Sequence, residues 1–196
     1  ITDAEGGVTT YEYDPRNLKL TEAYPGHTPG SSVGDPGYDQ REYRYDGLHR
    51  VRLRTDQLGD TVTPTYDLAS RLLRRDYRTA ANSPSGAIAD ADTFTYDDAS
   101  RLLSAASGRY TNTVIFTWND DSTLASEALT THGETYTTFR GYDAADRHTA
   151  ITYPDGSQIL RGYTDRDQLS EVEYDADGAG GGAAAAVADM TYDPAM

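Results

Sequence analysis

The stretch Phe94-Thr95-Tyr96-Asp97-Asp98-Ala99-Ser100-Arg101-Leu102 decides the fold. Phe94 and Tyr96 are two positions apart, the spacing that places side chains on one face of a strand, and aromatic rings suit that pleated surface. Asp97 and the short polar residues after it form turns, because an Asp carboxylate accepts hydrogen bonds from backbone amides just ahead of it. Leu102 then begins a new apolar pattern. The nine residues therefore predict a strand, a turn and a return strand, which is a β-hairpin.

The same pattern recurs along the chain. Tyr13-Asp14 is followed by Leu18, Tyr45-Asp46 by Arg50-Val51, and Tyr66-Asp67 by Arg71-Leu72. After Tyr96-Asp97 with Arg101-Leu102 come Trp118-Asn119 with Thr123-Leu124, Tyr142-Asp143 with Arg147-His148, and Tyr163-Thr164 with Gln168-Leu169. An eighth copy opens at Tyr192-Asp193. Successive key aromatics lie 32, 21, 30, 22, 24, 21 and 29 residues apart. That is a base period of about 21 to 24 with three enlarged members.

The enlargements fall on Gly-, Pro- and Ser-rich stretches at residues 25–37, 80–92 and 175–189, where a repeated hairpin tolerates insertion because loop closure cost grows slowly with length. The Gly-Ala run in the third stretch also fits a flexible linker between two domains. Apolar or aromatic residues precede the ring by two positions in Tyr11/Tyr13, Tyr43/Tyr45, Phe94/Tyr96, Phe116/Trp118 and Met190/Tyr192. Helical periodicity has no comparable support. The expected fold is all-β, with tandem antiparallel hairpins in residues 1–196 forming one repeat array. One hairpin is marginal, since cross-strand pairs contribute about 0.2 to 1 kcal/mol each, so stability must come from stacked neighbours.

Composition bounds the function classes. Leu, Ile, Val and Phe make up about 15% of the 196 residues and the net charge is −15, a balance usually found in disordered chains. Sixteen tyrosines argue for order, because each buries a ring and keeps a hydroxyl for hydrogen bonding. A pI near 4.4 disfavours nucleic acid and anionic membranes as partners. No stretch has the roughly 18 apolar residues of a membrane span, and no basic-then-apolar leader follows Ile1. A chain starting at Ile1 without Met reads as a fragment or processed product. With no Cys, disulfides and thiolate metal sites are absent and the compartment stays open.

The repeats resemble those of the RHS, or YD-repeat, family, whose units look like Tyr-x-Tyr-Asp-x-x-Gly-Arg-Leu. Tyr43-Arg44-Tyr45-Asp46 with Arg50-Val51, and Phe94-Thr95-Tyr96-Asp97 with Arg101-Leu102, match closely, and Ile151-Thr152-Tyr153-Pro154-Asp155-Gly156 looks like an inter-repeat turn. The resemblance implies hairpins in a long sheet that spirals into a shell or ribbon. In toxin complexes and polymorphic toxins such a shell encloses a C-terminal toxin, and in teneurins it belongs to a cell-surface adhesion receptor. Two departures stand out. His49, Ser70, Ser100, Ser122, Asp146 and Asp167 occupy the usual turn Gly position, which predicts looser turns because positive φ strains residues with a Cβ. The Pro- and Asp-Pro-Gly-rich segment at which similar toxins cleave themselves has no match; Asp193-Pro194 is too short to stand for it, and self-processing is not carried over.

Site chemistry is sparse. His27, His49, His132 and His148 are scattered without metal-ligand spacing and read as turn, surface or packing residues. No cofactor is expected; calcium is the one metal whose chemistry the acidic loops offer, with oxygens at residues 165–167 or 175–178, but the spaced loop with a distal Glu is missing. No nucleophile elbow, phosphate loop or dinucleotide fingerprint is present, so no catalytic residues are assigned. Arg50, Arg71, Arg101 and Arg147 are expected to pair with the preceding Asp or to lie across a neighbouring ring. The expected role is a structural segment of a larger secreted or cell-surface bacterial protein. Its expected partners are neighbouring repeats and an enclosed toxin domain, or, as an adhesion or matrix module, copies of itself and cell-surface glycans.

Overall fold

The computed structural model describes residues 1–32, 35, 37–82, 86–178 and 185–192. Among these the chain is all-β, fifteen antiparallel strands in one sheet whose order follows the sequence, with a single 3-10 turn at Ala80–Asn82. No helix among the described residues is long and apolar enough to cross a membrane. The strands pack as two compact units, one comprising residues 1–100 with 106–110 and the other 101–105 with 111–196.

The first unit carries β1 (Thr10–Tyr13), β2 (Lys19–Ala23), β3 (Gln40–Tyr45), β4 (Val51–Thr55), β5 (Thr61–Tyr66), β6 (Leu72–Arg78) and β7 (Asp90–Tyr96). Strand β8 (Leu102–Ser107) is divided between the units. The second unit carries β9 (Asn112–Trp118), β10 (Leu124–Thr131), β11 (Glu134–Tyr142), β12 (His148–Thr152), β13 (Gln158–Tyr163), β14 (Leu169–Asp175) and β15 (Ala185–Asp189). Each of the seven key aromatics is the last residue of its strand, and the next strand starts six residues later.

Two of the expected loops are shorter than the sequence suggested. β7 takes up residues 90–92, and β15 occupies residues 185–189 by pairing with β14. Ala has low strand preference, but an adjacent strand with unpaired backbone groups recruits it. Ser83, Pro84, Ser85, the Gly-Ala run at 179–184 and Asp193-Pro194 lie outside the described residues.

The turns are not looser where Gly is missing. Asn17, His49, Ser70, Ser100, Ser122, Asp146 and Asp167 all take a left-handed φ between 58° and 72°. Each donates its amide to the carbonyl three residues back, as in Ser70 to Asp67 at 3.1 Å and Asp146 to Asp143 at 3.0 Å. In six hairpins the register slips by one at the same place, so that Tyr45 faces Val51 while Arg44 faces Leu53. A left-handed turn residue and a one-residue bulge are two parts of one tight hairpin closure, and the bulge had no signal in the aromatic spacing.

Among the described residues a conventional core is missing. Ala23 and Tyr38 are the only buried apolar residues among those described, and no large side chain is fully buried. Half-buried rings and strand pairing must therefore carry stability that an ordinary domain draws from a sealed interior.

Candidate functional site

The one constellation that repeats throughout the chain is centred on the turns. In four of them, at Asp14, Asp46, Asp67 and Asp143, the Asp side chain acts as a local cap. Oδ1 of Asp46 accepts from the amides of Leu48 and Arg50, both at 2.9 Å, and Oδ1 of Asp143 accepts from Ala145 and Arg147 at 2.9 and 3.0 Å. Asp14 caps Arg16 and Leu18, and Asp67 caps Arg71. In the seventh repeat the Thr164 hydroxyl takes over this work at 3.2 Å. The second oxygen of Asp46, Asp67 and Asp143 pairs with Nε of Arg50, Arg71 and Arg147 at 2.7, 2.6 and 2.7 Å.

Each of these arginines also reaches forward into the following repeat. Arg50 Nη1 donates to the Asp67 carbonyl at 3.3 Å and to Ser70 Oγ at 3.1 Å, with its guanidinium 4.6 Å from the Tyr66 ring centre. Arg71 does the same to Asp97, Ser100 and Tyr96, Arg101 to Asn119, Ser122 and Trp118, and Arg147 to Thr164, Asp167 and Tyr163. The aromatic residues reach backward. The hydroxyls of Tyr45, Tyr66, Tyr96, Tyr142, Tyr163 and Tyr192, and Nε1 of Trp118, donate to the carbonyls of Lys19, Val51, Leu72, Leu124, His148, Leu169 and Leu102 respectively, at 2.7 to 3.1 Å. Tyr13 begins the ladder, 53% exposed.

This pairing explains the missing glycines. Ser70, Ser100, Ser122 and Asp167 each follow a repeat that carries Arg, and each gives that Arg a side-chain acceptor. A left-handed conformation costs a residue with a Cβ roughly 1 to 2 kcal/mol. A charge-assisted hydrogen bond offsets a similar amount. His49 and Asp146 follow repeats whose Arg position is held by Leu18 and Thr123. In the first of these gaps a different cation lies nearby: Lys19 is 4.5 Å from the Tyr43 ring centre and 2.9 Å from Glu22, without reaching the turn at His49.

The second gap has no substitute. Asn119 and Thr123 hold the Asp and Arg positions, and Thr123 is tied to Asp121 and Asn119. The double change Asn119→Asp and Thr123→Arg supplies the missing rung to the Asp143 carbonyl and the Asp146 carboxylate. It is expected to raise the melting temperature by about 2 °C in a thermal scan at pH 7.

The turn carboxyls are held below their ordinary pKa. The Leu18 amide does this for Asp14, the Arg50 amide for Asp46 and the Arg71 side chain for Asp67. At Asp143 partial burial pushes upward, but Arg147 and the turn amides outweigh it.

No protein-family profile matches the sequence. No curated protein matches it either. Among solved structures, a chain of TcdB2-TccC3-TEV aligns with 88% of this chain at 14% identity and a TM-score of 0.59. The two share a fold. This chain spans 9% of the length of that one. Looser likenesses are a Tc holotoxin pore from Photorhabdus luminescens, at 12% identity over 85% of this chain and 12% of that one with a TM-score of 0.38, and a porin-like protein from Bacteroides uniformis, at 10% identity over 85% of this chain and 81% of that one with a TM-score of 0.42.

Outside the ladder, a cavity of about 790 Å³ in the first unit is lined by residues including Arg54, Asp56, Asp60, Tyr77, Asp90 and Asp92. Its carboxylates each hold a neighbour: Asp56 caps Leu58 and Asp60, Asp60 accepts from Ala80, Asp90 from Ala91, and Asp92 from Tyr77 and Arg75. Among the described residues no group of three or more His, Asp or Glu is placed to hold a metal ion. Of the loop oxygens considered for calcium, Asp167 pairs with Arg147, and Asp175 accepts from the amides of Asp177 and Gly178. His49 and His132 sit at left-handed turn positions, and His27 packs edge-on to Tyr38.

Proposed function

We propose that the chain is a non-catalytic structural segment of a larger secreted or cell-surface bacterial protein of the RHS, or YD-repeat, kind, a stretch of β-wall of the sort that encloses a toxin. The observation that carries this reading is the ladder itself. Arg50, Arg71, Arg101 and Arg147 each reach the following turn, the ring residues from Tyr45 onward reach back to the preceding return strand, and Asp46, Asp67 and Asp143 close their own turns, so the most regular feature of the sequence joins repeats and does not present a reactive group. The fold shared with a stretch of TcdB2-TccC3-TEV supports the same reading. On this account the partners are neighbouring repeats and a toxin domain carried elsewhere in the full protein, with no cofactor and no nucleic acid.

Electron cryomicroscopy of the full-length gene product tests it. The expected image is a closed β-shell that contains this segment in its wall and density within. Filaments built by end-to-end pairing of strands would overturn it in favour of a self-assembling adhesion or matrix module.

A further inference from the structure

His148 breaks the repeat in a way the ladder does not require. Val51, Leu72, Leu102, Leu124 and Leu169 hold its place in other repeats. Its ring packs 5.3 Å from the Tyr142 ring, and Nδ1 lies 2.6 Å from Nη1 of Arg161 on the neighbouring strand β13. A guanidinium only donates, so Nδ1 is the acceptor and carries no proton. The ring's one proton is then on Nε2, which is buried without a partner.

The charges around the ring are lopsided. β11 contributes Arg140, and burial leaves its Nη1 unpartnered. β10 contributes Glu127, 3.8 Å from Arg140, and β13 contributes Arg161. On β14, Val172 stands opposite Arg161, so Glu171 and Glu173 alternate onto the other face. Next to His148 in the chain, Arg147 is committed to Asp143 and Asp167. No carboxylate meets the imidazole.

We propose that His148 is an acid-sensitive pin in the second unit: a proton taken up at Nδ1 ends the Arg161 bond and sets a third cation between Arg140 and Arg161, loosening β12 from β11 and β13 while the rest of the sheet stays paired. Burial, then Arg161 and Arg140, outweigh the opposing pull of the Ala150 backbone and hold the imidazole below its ordinary value of 6.5. The unfolded chain therefore binds the proton first as pH falls. The contribution of His148 is whole above pH 6.5 and is lost as pH drops from there through the lowered folded value. Glu171 works in the opposite sense: Glu173 and Asp189 raise its pKa, so acid relieves repulsion on β14.

Hydrogen exchange with mass spectrometry on the whole chain at pH 7.5 and 5.0, corrected for intrinsic rates, tests the proposal. At pH 5.0 Asp46, Asp67 and Asp143 remain ionised, and the variants separate the share of His148 from the opposing one of Glu171. Protection in β12 and its flanking strands is expected to fall by roughly threefold or more, with β3 to β6 unchanged, and His148→Leu is expected to abolish the fall. Arg161→Met, which keeps the ring but removes donor and cation, should shrink it, and serves if His148→Leu does not fold. Equal protection at both pH values in the parent chain, an undiminished fall in either variant, or an NMR titration of the His148 ring at or above pH 6.5 would overturn the proposal.

Discussion

Replacing Tyr96 by Ala is expected to destabilise the chain by about 3 kcal/mol, and replacing it by Phe by about 1 kcal/mol, in urea unfolding followed by circular dichroism. The ring is half-buried and serves as the platform for Arg71, 5.1 Å from its centre, while the hydroxyl reaches the Leu72 carbonyl at 3.0 Å. Alanine removes all of this together with apolar contact, and Phe removes only the hydrogen bond. In an ordinary domain a half-exposed tyrosine matters little. Here the loss is large because the described residues form no sealed core behind it, so the rungs of the ladder stand in for interior packing. Near-neutral results for both variants would mean that the rungs are decoration on a sheet held by backbone pairing alone.

The second large effect is acid sensitivity. Asp14, Asp46, Asp67, Asp121, Asp143 and Asp155 all have folded-state pKa values below the ordinary 3.8, held there mainly by turn amides and, at Asp67 and Asp155, first by a neighbouring side chain. Above pH 3.8 these carboxylates are ionised in both folded and unfolded chains, and their contribution is whole. Below it the unfolded chain takes up protons first, and stability is lost as pH falls through the lowered values. Urea midpoints are therefore expected to drop steeply below pH 4, beyond the smaller loss that His148 contributes at milder pH. The triple variant Asp46→Asn, Asp67→Asn, Asp143→Asn is expected to be weaker at pH 7 and to show a shallower acid limb. An acid limb of unchanged steepness would show that these turns do not depend on charge.

Much of this was legible in the sequence, for identifiable reasons. The i, i+2 aromatic pairs and the return-strand aliphatics gave strand positions directly, because a two-residue period has no helical counterpart. The repeated Asp was legible as turn chemistry, since its work lies within four residues of itself. Arg50 and its counterparts were legible only in outline: pairing with the preceding Asp is local, whereas reach into the next turn depends on a register that spacing alone does not set. The turn residues were misread for the same reason. Ser70, Ser100 and Ser122 look like poor replacements for Gly until the Arg one repeat earlier is seen to need an acceptor. A comparison of turn residues with the preceding repeat would have found this, because Ser or Asp follows every Arg-bearing repeat. The division within β8 had no sequence signal, as Leu102–Ser107 reads like any other return strand.

The direct test of the central claim, that consecutive repeats are locked together through their Arg and aromatic side chains, is a double-mutant cycle on Arg71 and Tyr96. The unfolding free energies of the parent chain, Arg71→Met, Tyr96→Leu and the double variant would be measured at pH 7. A favourable coupling of about 1 kcal/mol is expected, since each partner's contribution depends on the other. Additivity to within about 0.3 kcal/mol would contradict the account, leaving the regular Tyr and Arg of this chain without an interlocking role.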